Sequence, residues 1–280
     1  MYYPSEKHIK TIKKIAKQVD LLLVCNNTPD DKIQDSIDNC EIINFGENLG
    51  LSAAFNKAID MAGIDWDAAD YCVFFDQDSN IEDGYIDRLV SSFKDIATLC
   101  DNLGVMGPVY KDEKNGAINL PSSREPIEGT NAYIVQSIIT SSMIIQYGTL
   151  KEIGFWNENV FLDMADFDLC WRLSENGYKI VVDSDVILSH SVGEEVFSIF
   201  GKQLQVWKPV RNYYRIRDGL KLYHSGYMPS NEKRRFIITI SAEQLLNFIM
   251  VGERLDRIKF YLKAIKDYKK NLNGSYEKYR

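Results

Sequence analysis

The sequence runs to 280 residues, 45% hydrophobic and 26% charged, the balance of a soluble globular protein with material for a large core. A net charge of −7 speaks against nucleic acid as a bulk electrostatic partner, and no apolar run approaches the ~20 residues that span a bilayer. The five cysteines are scattered, with neither disulfide nor zinc spacing, and no signal-peptide pattern opens the chain, so free thiols in a cytoplasmic setting are expected.

Charge is uneven along the chain. From Asn231 to Arg280 there are twelve Lys and Arg against six Asp and Glu, a net of +6, so everything before Asn231 carries −13. An acidic body with a basic tail needs either a tail that docks on the body or an anionic surface elsewhere.

In chain order, residues 7–18 read as an amphipathic helix with Ile9, Ile12 and Ile15 on one side. A buried strand over 21–25 runs into the Asn/Asp/Pro turn at 26–31. Residues 41–45 form a short strand, 46–50 a loop and 51–62 a small-residue helix. Residues 71–75 are a continuous apolar run, a strand buried on both faces that ends in Asp76-Gln77-Asp78-Ser79-Asn80. A helix over 83–99 and a strand over 104–109 follow, then a long loop over 111–130, one or two strands within 132–146 and a short helix over 148–154. The alternation of helix and strand predicts a doubly wound α/β domain with a mostly parallel sheet. Residues 161–173 are dense in acids and aromatics ahead of a helix that Gly177 ends. Short strands over 178–182 and 186–189 stop at His190. Helices are expected over 203–223, 237–250 and 255–268, the last with Leu255, Ile258, Leu262 and Ile265 at helical spacing.

Two aspartates at i, i+2 beyond a strand end lie where open α/β sheets bind ligands, and their hard oxygens suit Mg²⁺ or Mn²⁺ and, through it, a diphosphate. Each element also has an ordinary reading. Asp, Ser and Asn are turn residues, an acid at a helix start is a cap, and a His after a strand is commonly a hydrogen-bonded structural group.

The set in order resembles the inverting family 2 glycosyltransferases of the GT-A fold, and within them bacterial rhamnosyltransferases that build surface polysaccharides. The resemblance covers residues 3–223. Val24-Cys25-Asn26-Asn27-Thr28 stands at the strand–turn that holds the base. Asn48-Leu49-Gly50 and the helix through Asn56 are similar to the N-x-G…A-x-N segment. Asp76-Gln77-Asp78 is similar to the D-x-D motif, and residues 163–172 to the acid-headed helix followed by Leu-Cys-Trp-Arg-Leu. Arg211-Asn212-Tyr213-Tyr214-Arg215-Ile216-Arg217 matches a helix bordering the acceptor site. Of the first strand, Met1-Tyr2-Tyr3-Pro4 survives; Cys25 stands where the family has Asp, and Ala165 where many members have Glu.

This resemblance implies a GT-A nucleotide-diphospho-sugar transferase domain over 1–225, its first strand missing or truncated, and a basic helical extension over 226–280. It implies Asp166 as the general base, with Asp163 as its substitute. Asn26, Asn27, Asn48, Gly50, Asn56 and Asp76 would hold the nucleotide sugar, and Asp78, Asp76 and His190 a Mg²⁺ or Mn²⁺ ion. Arg211, Tyr214 and Arg217 would face the acceptor. The implied donor is dTDP-rhamnose, with UDP-sugars next, and the acceptor a lipid-linked or free glycan at the cytosolic membrane face, which the basic tail would contact. Two other classes compete: a GT-A domain that binds nucleotide sugar or glycan without turnover, and a nucleotidyltransferase. The latter would carry an N-terminal Gly-rich phosphate loop, which the sequence lacks.

Overall fold

The computed structural model describes residues 1–112, 116, 118–190, 196–199, 202–205, 208–250 and 252–279. In order they form α1 (Glu6–Ala16), β1 (Leu22–Asn26), β2 (Cys40–Asn44), α2 (Leu51–Met61), β3 (Tyr71–Phe74), α3 (Tyr85–Ala97), β4 (Leu103–Asp112), β5 (Ile118–Asn119) and β6 (Glu125–Pro126). There follow β7 (Ala132–Val135), β8 (Met143–Gln146), α4 (Tyr147–Glu152), α5 (Ala165–Glu175), β9 (Lys179–His190), β10 (Val196–Ile199), β11 (Lys202–Gln205), α6 (Pro209–Tyr223), α7 (Ser230–Met250) and α8 (Arg254–Lys269).

The main sheet has the order β3-β8-β4-β9-β7-β6, with β5 beside β4. Successive side chains on its central strands enter opposite cores, as the two-residue period of a strand requires. Val105, Ile145, Ile180 and Val182 pack with Leu169, Cys170 and Leu173 of α5 and with Trp156. Met106, Ile144 and Val181 pack with Ile86, Leu89 and Phe93 of α3 and with Ile15 of α1. Both faces are covered, which is why these strands read as unbroken apolar runs rather than alternating ones.

The sheet is mixed. β4 pairs with β9 in parallel, while β8 lies antiparallel between β3 and β4, and β7 antiparallel to β9. β1 and β2 form a separate parallel ladder that docks through α2, with Cys25, Ile43, Ala54 and Ala58 in one cluster. β3 therefore does not extend the β1–β2 ladder, although it runs parallel to β4 and β9. The partner of β3 is the distant β8, with Cys72 facing Ile145 and Val73 facing Ile144, a pairing that local periodicity does not encode. At the start of the chain the Met1 ammonium donates to the Cys25 carbonyl at 2.6 Å, and Asn27 N–H donates to the Met1 carbonyl at 2.8 Å, so Met1 lies along the end of β1.

Strand directions fix where chemistry collects. β3, β4 and β9 point the same way, so their C-terminal ends share one edge, with the Asp76–Asp78 turn after β3, Tyr110 on β4 and Ser189–His190 on β9. An Asn80–Ser189 bridge ties that turn to the end of β9.

Two expectations need correcting. The two strands expected over 178–182 and 186–189 are one strand, β9, with a register irregularity opposite Pro108/Val109. The helix expected from Gln203 begins at Pro209, whose missing N–H suits the first helical turn, and residues 196–199 and 202–205 form an antiparallel hairpin instead. In α8 the face that packs on α6 carries Phe260, Tyr261, Ala264 and Ile265. Leu255, Ile258 and Leu262, which share helical spacing with Ile265, point to solvent.

Candidate functional site

The apolar strand β3 ends at Phe74, and Asp76 to Asp78 turn away from it, with Ser79 N–H donating to the Asp76 carbonyl at 3.2 Å. The Ser79 hydroxyl bonds Ser141 just ahead of β8, so the turn is pinned by buried hydroxyls beneath it. Asp78 is exposed and Asp76 half-buried. Gln77 accepts the Tyr2 N–H at 2.7 Å, and Tyr3 N–H donates to Thr28 Oγ1 at 2.8 Å, so Met1–Tyr3 join this turn to the one after β1.

Opposite lies the start of α5. Its flanking residue Met164 has a left-handed backbone with φ of 72°, a conformation a long side chain adopts at a cost of order 1–3 kcal/mol and one that marks functional sites. No side chain caps this helix; Asp166, in its first turn, accepts the neighbouring Phe167 N–H at 2.9 Å. Asp166 keeps some surface open to solvent, yet its carboxyl is closely surrounded. Burial, opposed by the Phe167 N–H and reinforced by the negative fields of Asp76 and Asp163, pushes its pKa up to about 7. This is the pattern of a group poised near neutral pH rather than of a solvated cap.

Asp163 is held differently. Burial pushes its carboxyl up while Arg211 and Arg215 pull it back. Arg211 Nε lies 2.9 and 3.2 Å from its two oxygens, and Arg211 Nη2 lies 2.9 Å from one of them. A carboxylate tied to a guanidinium is a poorer base than Asp166. Arg172 does not meet either acid. It donates to Asp168 at 2.8 Å and to the carbonyls of Ile153 and Phe155, while Asp168, fully buried, also takes Asn157 and Tyr227.

Sequence reasoning missed Tyr110. Its phenol is raised well above the usual value, by burial first and then by Tyr85, Asp76 and Asp166, and its hydroxyl donates to the Ser141 carbonyl at 3.2 Å. Tyr110 thus lies within the field of both acids. Its position near the C-terminal end of a buried strand was the available signal.

The asparagines expected to hold base and ribose are committed to the frame. Asn26 is fully buried, donating to the Asp31 carbonyl and Asn44 Oδ1 and accepting from Thr28 N–H. Asn27 donates to the Gly50 carbonyl and accepts Leu49 N–H; Asn48 accepts Gly50 N–H. Asn56 bonds both N–H and carbonyl of Trp156. A side-chain amide presents the same donor–acceptor pair as a peptide group, and Asn26, Asn27 and Asn56 use both halves of it to brace loops. Gly50 must be glycine: φ is +82°, and a Cβ would lie 2.3 Å from the Phe161 carbonyl, which accepts Leu51 N–H. Cys25 faces α2, its thiol 3.5 Å from the Ala54 carbonyl and pushed up to about 11 by burial.

Of the expected acceptor residues, Arg211 alone reaches the acidic cluster among the described contacts. Arg217 is fully buried, bound to Asp218 at 2.6 Å and to the Gly274 carbonyl at 2.7 Å, and so offers no atom to a solute. Tyr214 is buried with its ring stacked on Phe161 at 4.3 Å and its hydroxyl on Tyr276 N–H. Phe161 is the joint of this region. Its N–H donates to Asp218, its carbonyl accepts from α2, and the acidic loop starts just beyond it.

No three His, Cys, Asp or Glu side chains gather as a metal cluster among the described residues; His190, expected as a metal ligand, ends β9, and its side chain lies outside what the structure describes. A Mg²⁺ or Mn²⁺ ion that arrives with a diphosphate needs only one or two protein carboxylates, since phosphate oxygens and water complete its shell. The exposed oxygens of Asp78 and the half-buried Asp76 fit that requirement.

Comparison with known proteins gives the family and the fold. The family model "Glycosyl transferase family 2" matches residues 9–148, half of the chain. The chain belongs to glycosyl transferase family 2. It is 25% identical over 287 residues, 98% of this chain and 94% of the relative, to the dTDP-rhamnosyl transferase RfbF of Shigella flexneri. Solved structures share the fold. S. aureus TarS superposes with a TM-score of 0.57 at 15% identity, 97% of this chain covering 48% of that one. GalNAc-T7, solved with UDP, GalNAc and Mn²⁺, gives 0.56 at 12% identity, covering 94% of this chain and 54% of that one. This family 2 chain thus spans about half the length of those two structures and has the fold of the GT-A glycosyltransferases, among which divalent metals are common.

Proposed function

We propose that the protein transfers a rhamnosyl group from dTDP-rhamnose to a hydroxyl of a lipid-linked or free glycan, inverting the anomeric centre. The observation that carries this reading is Asp166, a carboxyl pushed up to about 7 within the field of Asp76 at the C-terminal edge of the sheet of a family 2 chain. In the proposed step Asp166 takes the proton of the acceptor hydroxyl as that oxygen attacks the anomeric carbon. The bond from that carbon to the diphosphate oxygen breaks on the opposite face, and the nucleoside diphosphate leaves. One base and no protein nucleophile suffice for inversion by direct displacement. Asp78, with Asp76, would hold Mg²⁺ or Mn²⁺, which supplies Lewis-acid neutralisation of the leaving diphosphate. Asp163 and Arg211, bonded to each other just ahead of α5, would set the acceptor side. The donor is drawn from the rhamnosyl transferase relative, and UDP-sugars are the second choice.

A thermal-shift screen of nucleotide sugars with and without Mn²⁺ tests donor and metal together. A ligand present at a hundredfold over its Kd stabilises by about 2.7 kcal/mol. The expected result is that dTDP-rhamnose with Mn²⁺ gives the largest rise, and that Asp78→Ala removes the metal-dependent part. A largest rise from a UDP-sugar changes the donor. A shift that is indifferent to Mn²⁺ and to Asp78→Ala overturns the metal assignment.

A further inference from the structure

We infer that the outward face of the α7–α8 extension docks on an anionic lipid surface, with α8 lying in the plane of the membrane interface. The exposures on α8 are the starting observation. Leu255 is 83% exposed, Ile258 42% and Leu262 59%, and their i, i+3, i+7 spacing makes one ridge along the helix. The opposite side of α8 is fully used: Phe260, Tyr261, Ala264 and Ile265 pack with Tyr213, Ile216 and Tyr276, and Asp267 accepts the Tyr213 hydroxyl at 2.8 Å. The body therefore takes a face that includes the buried charges Arg257 and Asp267, and leaves three large aliphatic side chains outside.

The exposed lysines decide the occupant. Lys259, Lys266 and Lys270 repeat at i, i+7, i+11 beside the apolar ridge, and Lys269 adds a fourth exposed ammonium. On α7, Ile237 and Ile238 are 45% and 61% exposed next to the exposed Arg234 and Arg235. A bilayer interface bearing anionic headgroups matches the α8 ridge, apolar residues toward the acyl boundary and lysines toward phosphate. No helix among the described residues is long and apolar enough to cross a membrane, so lying in the interface is the geometry left to it. The charge split sets the orientation. The tail, at +6, is drawn to the surface that repels the −13 of the chain before it. A symmetric second copy would press one lysine ridge against another, which favours the lipid as the occupant.

Flotation of the full chain with phosphatidylcholine vesicles, with and without phosphatidylglycerol, tests this without any reference to turnover, so it stands or falls apart from the sugar-transfer reading. The parent should float with phosphatidylglycerol vesicles and be released by salt. Leu255→Asp/Leu262→Asp should cut partitioning by about tenfold or more. Lys259→Glu/Lys266→Glu/Lys270→Glu should abolish the preference for phosphatidylglycerol, and because it leaves the apolar ridge and the packed face intact it guards against a folding artefact in the first variant. Circular dichroism and the melting midpoint of each variant should match the parent. Three results would overturn the proposal: a parent that does not float with phosphatidylglycerol, leucine variants that partition as the parent does, or light scattering that shows a parent oligomer broken by the leucine variants with no change in vesicle binding.

Discussion

Asp166→Asn is expected to lower the transfer rate by about 10²–10⁴, the usual contribution of a positioned general base. The same substitution should raise the melting temperature at pH 8. The sign follows from proton linkage. In the folded chain Asp166 titrates at about 7, above its ordinary value of 3.8. Between those two pH values the native state binds more protons than the unfolded state, so this group's stabilisation is present at low pH and is lost as pH rises to 7. A neutral amide does not titrate and escapes that loss. The parent's kcat/KM should accordingly climb through pH 7 and level above it, and the variant's residual rate should lack that rise. A variant that loses activity and also loses stability at pH 8 would mean that Asp166 is a structural group.

The largest effect on stability is expected at Asp218. Its carboxylate is fully buried and receives the Arg217 guanidinium at 2.6 and 3.1 Å and the Phe161 N–H at 2.9 Å, with the Lys221 ammonium 3.7 Å away. Arg217 in turn reaches the Gly274 carbonyl and lies against the rings of Tyr213 and Tyr214. Asp218→Ala strands a buried guanidinium and an N–H donor, which should cost about 3–5 kcal/mol in urea unfolding. Replacing both charges, Arg217→Met with Asp218→Leu, should cost less than Asp218→Ala alone, because the fully buried guanidinium leaves with its partner and the Lys221 ammonium keeps the Leu272 carbonyl and Asn273 as acceptors. A double variant as damaged as the single one would place the cost in lost packing. Because Phe161 starts the loop that carries Asp163, Asp218→Ala should also weaken acceptor use in whatever protein remains folded.

Both substitutions fall on acids, yet only one of the two was legible as special from sequence. The acids at 76, 78, 163 and 166 stood out because charge beyond a buried strand and at a helix start is unusual chemistry in a fixed order. The elements were legible wherever one face or two faces pack, as in α3 and β3. What sequence could not show depended on distant partners. The antiparallel insertion of β8 between β3 and β4 is set by contacts far apart along the chain. The asparagines looked like a nucleotide cradle because a free amide and an amide bracing a loop read identically until the backbone groups they meet are known. Arg217 looked like an exposed cation on a helix until Asp218 and the chain end closed over it. The packed and exposed sides of α8 were indistinguishable for the same reason, since the inward face carries charge and the outward face carries leucine.

Sugar transfer with inversion at Asp166 can be followed directly, as dTDP-rhamnose turnover by NMR with Mg²⁺ and a glycan acceptor. Release of dTDP should be matched by a glycoside whose anomeric configuration is opposite to that of the donor. Both should be lost in Asp166→Asn while the donor still stabilises that variant against heat. A donor that stabilises the parent yet yields neither dTDP nor glycoside would make the protein a binding module. Turnover that proceeds undiminished in Asp166→Asn would remove Asp166 from the reaction.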